Sequence, residues 1–207
     1  ADSIIKKMRA SKNWPNNKYY PMESSEIKKL WYDNGKKASA DGTKMHNDIE
    51  RYYNNLSVEN DTIEYNQYFM KFAEDHKHLT PYRTEWMIYD KALKFAGSMD
   101  MTYINEDGTV SIYDWKRCKK IEKANGFGQF STNKIIEDFP DSNYWHYSLQ
   151  LNTYASIIER NYKLKVKDLY IVCLHPDNQN KCYLKYKVPD LKDKVALLFQ
   201  EREKNIK

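Results

Sequence analysis

Apolar positions in the first third of the chain recur at helical spacing. Residues 1–40 read as a helical region broken near Trp14-Pro15 and Tyr20-Pro21, because proline removes a donor and clashes with the preceding turn. A helix over residues 43 to about 55 follows, with Met45, Ile49 and Tyr53 on one face. Another over 66–76 turns Tyr68, Phe69 and Phe72 inward. After Pro81 the period changes, and 84–89, 95–104 and 110–116 read as strands. Residues 143–161 return to helical spacing through Leu149, Tyr154, Ile157 and Ile158. The continuous apolar run over 169–174 suits a strand buried on both faces. A strand over 182–188 and a helix over 191–204 close the order. This succession predicts an α/β or α+β domain layered around one mixed sheet. Residues 1–40 would form an N-terminal helical region packed on that core, with 41–207 as the main domain.

Composition sharpens this picture in a few places. Six glycines and six prolines leave little material for linkers, and 18 tyrosines argue against disorder. No apolar run approaches the ~20 residues that span a bilayer, so no membrane partner is expected. The opening residues carry no apolar stretch of the secretory-leader kind. Thirty-four basic against 29 acidic side chains give +5, which permits a polyanionic partner without requiring one. Cys118, Cys173 and Cys182 are an odd number without C-x-x-C spacing. That argues against a zinc ribbon or disulfide framework and for a reducing, intracellular compartment. The segment 117–141 starts with Arg117, Lys119, Lys120 and Lys123 and runs through Gly126-Phe127-Gly128. A long irregular connection of this kind reads as a functional loop or lid.

The chemistry concentrates around one hairpin. Asn105-Glu106-Asp107-Gly108 is a turn signal, and a three-residue loop over 106–108 with Gly108 left-handed would pair Asn105 with Thr109. Continuing that register sets Asp100 opposite Asp114, with Cβ atoms about 4.5–5.5 Å apart. Carboxylates held that close repel unless a cation or a shared proton lies between them. Period-two geometry puts Lys116 on the same face as Asp114. Two carboxylates and an ammonium are what metal-assisted hydrolysis of a phosphodiester needs: the oxygens suit Mg²⁺ or Mn²⁺, and the lysine can position water or offset charge at phosphorus. An isolated D-x-K is also common on solvated hairpins. His46 and Glu50 stand at i and i+4 on one helical face, Glu85 lies on the preceding strand, and Gln150 and Tyr154 share a helix face with His146 one turn earlier.

Together and in this order, these motifs resemble the PD-(D/E)XK nuclease superfamily, in its RecB-like branch. The resemblance rests on G-x-x-x-H-x-x-x-E from Gly42 to Glu50, Glu85, G-x-x-D from Gly97 to Asp100, D-x-K from Asp114 to Lys116, and Q-x-x-x-Y from Gln150 to Tyr154. In overall look the chain is similar to mitochondrial genome maintenance exonucleases and to stand-alone viral and phage exonucleases. The resemblance implies a restriction-endonuclease-like core, a central mixed β-sheet flanked by helices. It implies that His46, Asp100, Asp114 and the Trp115 carbonyl ligate the metal, and that Lys116 is the catalytic lysine. Gln150 and Tyr154 would lie near the scissile phosphate, Glu85 would reach a second metal, and Glu50 would brace the first helix. The implied activity is a Mg²⁺- or Mn²⁺-dependent exonuclease acting at free ends of single-stranded DNA. The alternatives are a structure- or sequence-specific endonuclease on the same fold, or a non-catalytic nucleic-acid-binding module. Some relatives hold an iron–sulfur cluster with one cysteine before the core and three after it. Here all three cysteines follow Lys116, so no cluster is expected.

The remaining signals are two-sided. His76 and His78 read as a solvated turn, and His175 as structural. The lysine-rich stretch 163–207 could track a phosphate backbone or be a solvated face. Trp14, Tyr19, Tyr20, Phe127 and Phe130 could stack on unpaired bases or simply pack.

Overall fold

The computed structural model describes residues 1–206. The chain divides into two compact units, Ala1–Lys44 and Met45–Lys207. In the first, α1 (Asp2–Arg9) is followed by a 3₁₀ turn at Trp14–Asn16 and by α2 (Ser24–Tyr53), which continues into the second unit. Glu26 accepts the Glu23 N–H at 2.7 Å and so satisfies a donor that the first turn of α2 leaves open. Arg9 bonds both Glu23 and Ser24, at 3.0 Å each. Trp14 packs edge-on against Tyr20, and Tyr19 against Trp31.

One helix stands where the sequence suggested a break and a fresh start near residue 43. Gly35 and Gly42 each cost about 1 kcal/mol in a helix interior. Lys29–Asp33 and Lys37–Asp41 are i,i+4 pairs, and the alanine- and lysine-rich stretch around them favours helix enough to carry it through.

The second unit holds a five-stranded mixed sheet in the order β1 (Thr80–Asp90), β2 (Phe95–Ile104), β3 (Val110–Lys116), β4 (Val166–Cys173), β5 (Leu184–Lys187). Only β3 and β4 run parallel; every other neighbouring pair is antiparallel. A parallel pair needs a long crossover, and 117–165 supplies it with the loop and α4 (Asn143–Ile157). Strands β2 and β3 match the bounds read from the sequence. β1 extends back beyond Pro81, which is tolerated because β1 is an edge strand and its register shifts between Pro81 and Arg83.

Each face of the sheet carries its own core. Ile112, Leu169, Ile171 and Cys173 pack with Leu151, Tyr154, Ile157 and Ile158 of α4 and its continuation, with Phe199 of α5 (Lys192–Asn205) alongside. On the opposite face Tyr113, Trp115, Val172 and Leu174 pack with Met45 and Ile49 of α2 and with Tyr65, Phe69 and Phe72. Phe72 lies in α3 (Met70–Asp75), which follows a wider helical turn at Glu64–Phe69. Phe69 and Phe72 are fully buried and meet Trp115 edge-on, each worth roughly 1.5–3 kcal/mol of transfer free energy. These two layers clamp β3 from both sides and so fix Asp114 and Lys116 on a rigid strand. Among the described residues no helix is long and apolar enough to cross a membrane.

Candidate metal centre

The hairpin turns as its sequence dictates. Gly108 has φ +77°, and Asn105 N–H donates to Thr109 O at 2.8 Å. The β2–β3 ladder runs from Ile104↔Val110 to Met101↔Tyr113 and stops there. Asp100 and Asp114 therefore do not form the regular cross-strand pair expected from the register. Instead Asp100 Oδ2 reaches across and accepts the Trp115 N–H at 2.7 Å. Side-chain alternation breaks at the same point. Met99 packs on the α4 face, whereas Met101, two residues on, packs on the other. A regular strand would hold both on one face. On β1, the pairs Thr84↔Met101 and Trp86↔Met99 bracket Glu85 and Asp100. Glu85 has φ +42°, a left-handed backbone that costs a non-glycine residue about 1–3 kcal/mol and clusters at functional sites. The strain lies at the residue whose carboxylate joins the cluster.

Three elements meet there. His46 of α2 places Nδ1 3.6 Å from Glu85 Oε1 and 3.5 Å from Asp100 Oδ1. One ligand atom from each of His46, Glu85 and Asp100 lies within 4.8 Å of the other two. Ser98 Oγ donates to Glu85 Oε2 at 3.2 Å and steadies it. Asp114 is buried beside this triad. Lys116 Nζ lies 2.6 Å from its Oδ2, yet that oxygen accepts no well-formed hydrogen bond. Lys116 itself sits 4.7 Å above the Tyr147 ring of α4.

The charges are out of balance. Burial first, then repulsion from Asp114, pushes the Asp100 carboxyl up to about 7. Burial also raises Asp114, against the opposing charge of Lys116. Burial pulls His46 and Lys116 down, but the carboxylates around them more than compensate, and both end above their ordinary values. A further cation beside Asp100 and Asp114 would offset the cost of burying both carboxylates together.

The donor set fits a divalent one. Carboxylate oxygens and an imidazole nitrogen are both ligands of divalent ions, and ligands of one octahedral ion lie about 3–4 Å apart. The two His46 separations fall in that span. Asp114, whose buried Oδ2 meets only the Lys116 ammonium, is the additional acceptor beside the triad. Glu50, one turn beyond His46, is not in the cluster.

The helix motif and the glycine motif touch each other. Gln150 Nε2 donates to Tyr154 Oη at 3.1 Å. A Cβ on Gly97 would meet Tyr154 Cε1 at 2.5 Å and its Oη at 2.8 Å. Gly97 is therefore a glycine because Tyr154 occupies the space of a side chain. Tyr154 in turn lies close enough to Asp114, Lys116 and Asp100 to feel their charge. Two contributors escaped the sequence reading. Tyr147 stands at i−3 from Gln150, a spacing that puts it on the same helix face. Ser98 lies inside G-x-x-D, where a hydroxyl beside Asp100 was the available signal.

Outside the cluster, His76 stacks on Phe72 and His175 is buried, its Nδ1 accepting the Asp177 N–H at 3.0 Å. Cys173 is core, its Sγ 3.5 Å from Cys118 Sγ, and all three cysteines are free. Phe127 is 91% exposed and Phe130 53%.

Two outcomes follow. In metal-free protein Asp100 holds its proton more tightly folded than unfolded, and His46 shifts the same way, so stability present at acid pH is lost as pH rises through about 7. Asp100→Asn removes the Asp100 part. Urea unfolding with EDTA will show the variant more stable by about 1–3 kcal/mol at pH 8 and nearly equal at pH 4; an equal gap at both pH values would contradict the charge assignment. Gly97→Ala forces Tyr154 aside and will cost about 1–3 kcal/mol by the same assay, as overpacking does.

No protein-family model matches this chain, and no curated protein matches it. Solved structures do. A protein from Eubacterium rectale described as a candidate exonuclease is 17% identical, with a TM-score of 0.39, covering 70% of this chain and 47% of that one. A second, SSO0001, is 13% identical, with a TM-score of 0.33, covering 67% of this chain and 56% of that one. The chain thus spans about half the length of the solved structures it matches.

Proposed function

We propose that this chain is a Mg²⁺- or Mn²⁺-dependent deoxyribonuclease that hydrolyses phosphodiester bonds from free ends of single-stranded DNA. The observation that carries the reading is the meeting of His46, Glu85, Asp100, Asp114 and Lys116 in one strained, negatively unbalanced cluster. The order of motifs that resembles PD-(D/E)XK exonucleases supports the end requirement and the strand preference. The net charge of +5 is compatible with a polyanionic substrate.

His46, Asp100, Asp114 and the Trp115 carbonyl would hold the ion, with Glu85 completing or extending the set. A divalent cation there supplies polarisation of a phosphoryl oxygen and acidification of water. The chain's own groups do the rest. Asp114 and Asp100 keep Lys116 protonated, so it works as a cation that orients the attacking water and offsets charge gathering on phosphorus. The Tyr147 ring and Asp114 fix the ammonium, limiting the reorganisation it needs at the moment of reaction. Gln150 and Tyr154 are donors on the neighbouring helix face, suited to a non-bridging phosphate oxygen. Residues 1–40 would form an attached helical region.

Single-stranded DNA labelled at either end, incubated with Mn²⁺ or Mg²⁺, tests this. Linear strands will be degraded and circular ones spared, and Lys116→Ala will lower the rate by 10²-fold or more. Cleavage of the circle would move the reading to an endonuclease. DNA binding without cleavage in either metal would leave a non-catalytic module.

A further inference from the structure

The loop that the sequence marked as a lid is a built wall. Phe130 bridges to Pro140, Asn125 Nδ2 donates to Asp141 O at 2.6 Å, and Trp145 Nε1 donates to Lys123 O at 3.1 Å. Lys194 of α5 bonds Ile135 O and Asp138 Oδ1, at 2.8 Å each. Between this wall and the start of α4 lies a cleft of about 250 Å³, lined among others by Phe130, Thr132, Phe139, Trp145, His146 and Leu149. Its floor is aromatic: Phe139, buried, stacks on Trp145 at 4.4 Å and 22°, with Lys194 over the Phe139 ring. Its polar edge is the Asp141–His146 pair, 2.8 Å apart. Phe130 stays 53% exposed at its mouth.

His146, at the edge of the cleft, shares a face of α4 with Gln150 and Tyr154. His146 precedes Gln150 by four residues, and Gln150 precedes Tyr154 by four, so each step is about one 5.4 Å turn. We propose that this cleft takes one unstacked nucleobase of the strand whose phosphodiester lies at the carboxylate cluster. The proposal rests on the nuclease reading and deepens it by naming a base subsite. The exposed ring of Phe130 offers a stacking face to any base, and only an unpaired base can present its own face to it. Lys123, held over Tyr144, supplies positive charge alongside for the backbone. The cleft therefore selects unpaired over paired nucleotides without reading sequence, and Phe130 is the ring that closes on the base.

The test uses short single-stranded oligonucleotides with one abasic residue moved stepwise from the end. Affinity of the full chain is measured by fluorescence anisotropy in EDTA, and cleavage separately in Mn²⁺. One abasic position will weaken binding about 5- to 100-fold, the others little. Phe130→Ala will weaken the intact oligonucleotide by a similar factor and abolish the discrimination, while Phe130→Tyr will keep both. Equal losses at every position, or a Phe130→Ala protein that still discriminates, would overturn the subsite. Discrimination without cleavage would uphold the subsite and sink the nuclease reading. Cleavage without discrimination would do the reverse, and failure to bind single strands would remove both.

Discussion

Repulsion among carboxylates held by one lysine is the constraint around which this molecule is arranged. Asp114 is buried with Lys116 2.6 Å away, and Asp100 and Glu85 crowd the same region with His46. One ammonium and one imidazole do not balance three carboxylates, and burial deepens the deficit. Ordinary folding would avoid such a cluster. It survives on a strand, β3, that is clamped between two aromatic and aliphatic layers.

The local irregularities follow from that constraint. Regular pairing would have set Asp100 squarely against Asp114. The ladder ends one residue short, the side-chain alternation of β2 reverses between Met99 and Met101, and Glu85 takes a left-handed backbone. Each departure re-aims a carboxylate toward a common point, with the Trp115 N–H capturing one Asp100 oxygen. On the α4 side, Gly97 yields its side-chain space to Tyr154, and Tyr147 holds Lys116. Strain and charge are thus concentrated in one place, and the same α4 face extends from it to the cleft under the 117–141 loop.

Much of this was legible in residues and spacing. The bounds of β2 and β3, the Gly108 turn and the shared face of Asp114 and Lys116 follow from period two and turn chemistry. What was not legible depended on tertiary context. Gly42 looked like a helix boundary, yet flanking i,i+4 pairs carry α2 through it. Pro81 looked like a strand limit, yet an edge position tolerates it. Glu85 entered the expected site only through the motif resemblance, because spacing alone does not show the left-handed backbone that accompanies its place in the triad. The loop carries turn residues that suggest freedom, whereas its order comes from Trp145, Asn125 and Lys194, contacts across long sequence separations.

The most direct test of the charge account needs no nucleic acid. Titration calorimetry of the metal-free protein with Mn²⁺ at pH 7.5 asks whether the cluster wants a cation. Binding will be saturable and release protons, weakened at least tenfold by Asp100→Asn and unchanged by Gln150→Ala. No saturable binding, or equal binding by the Asp100→Asn protein, would contradict it.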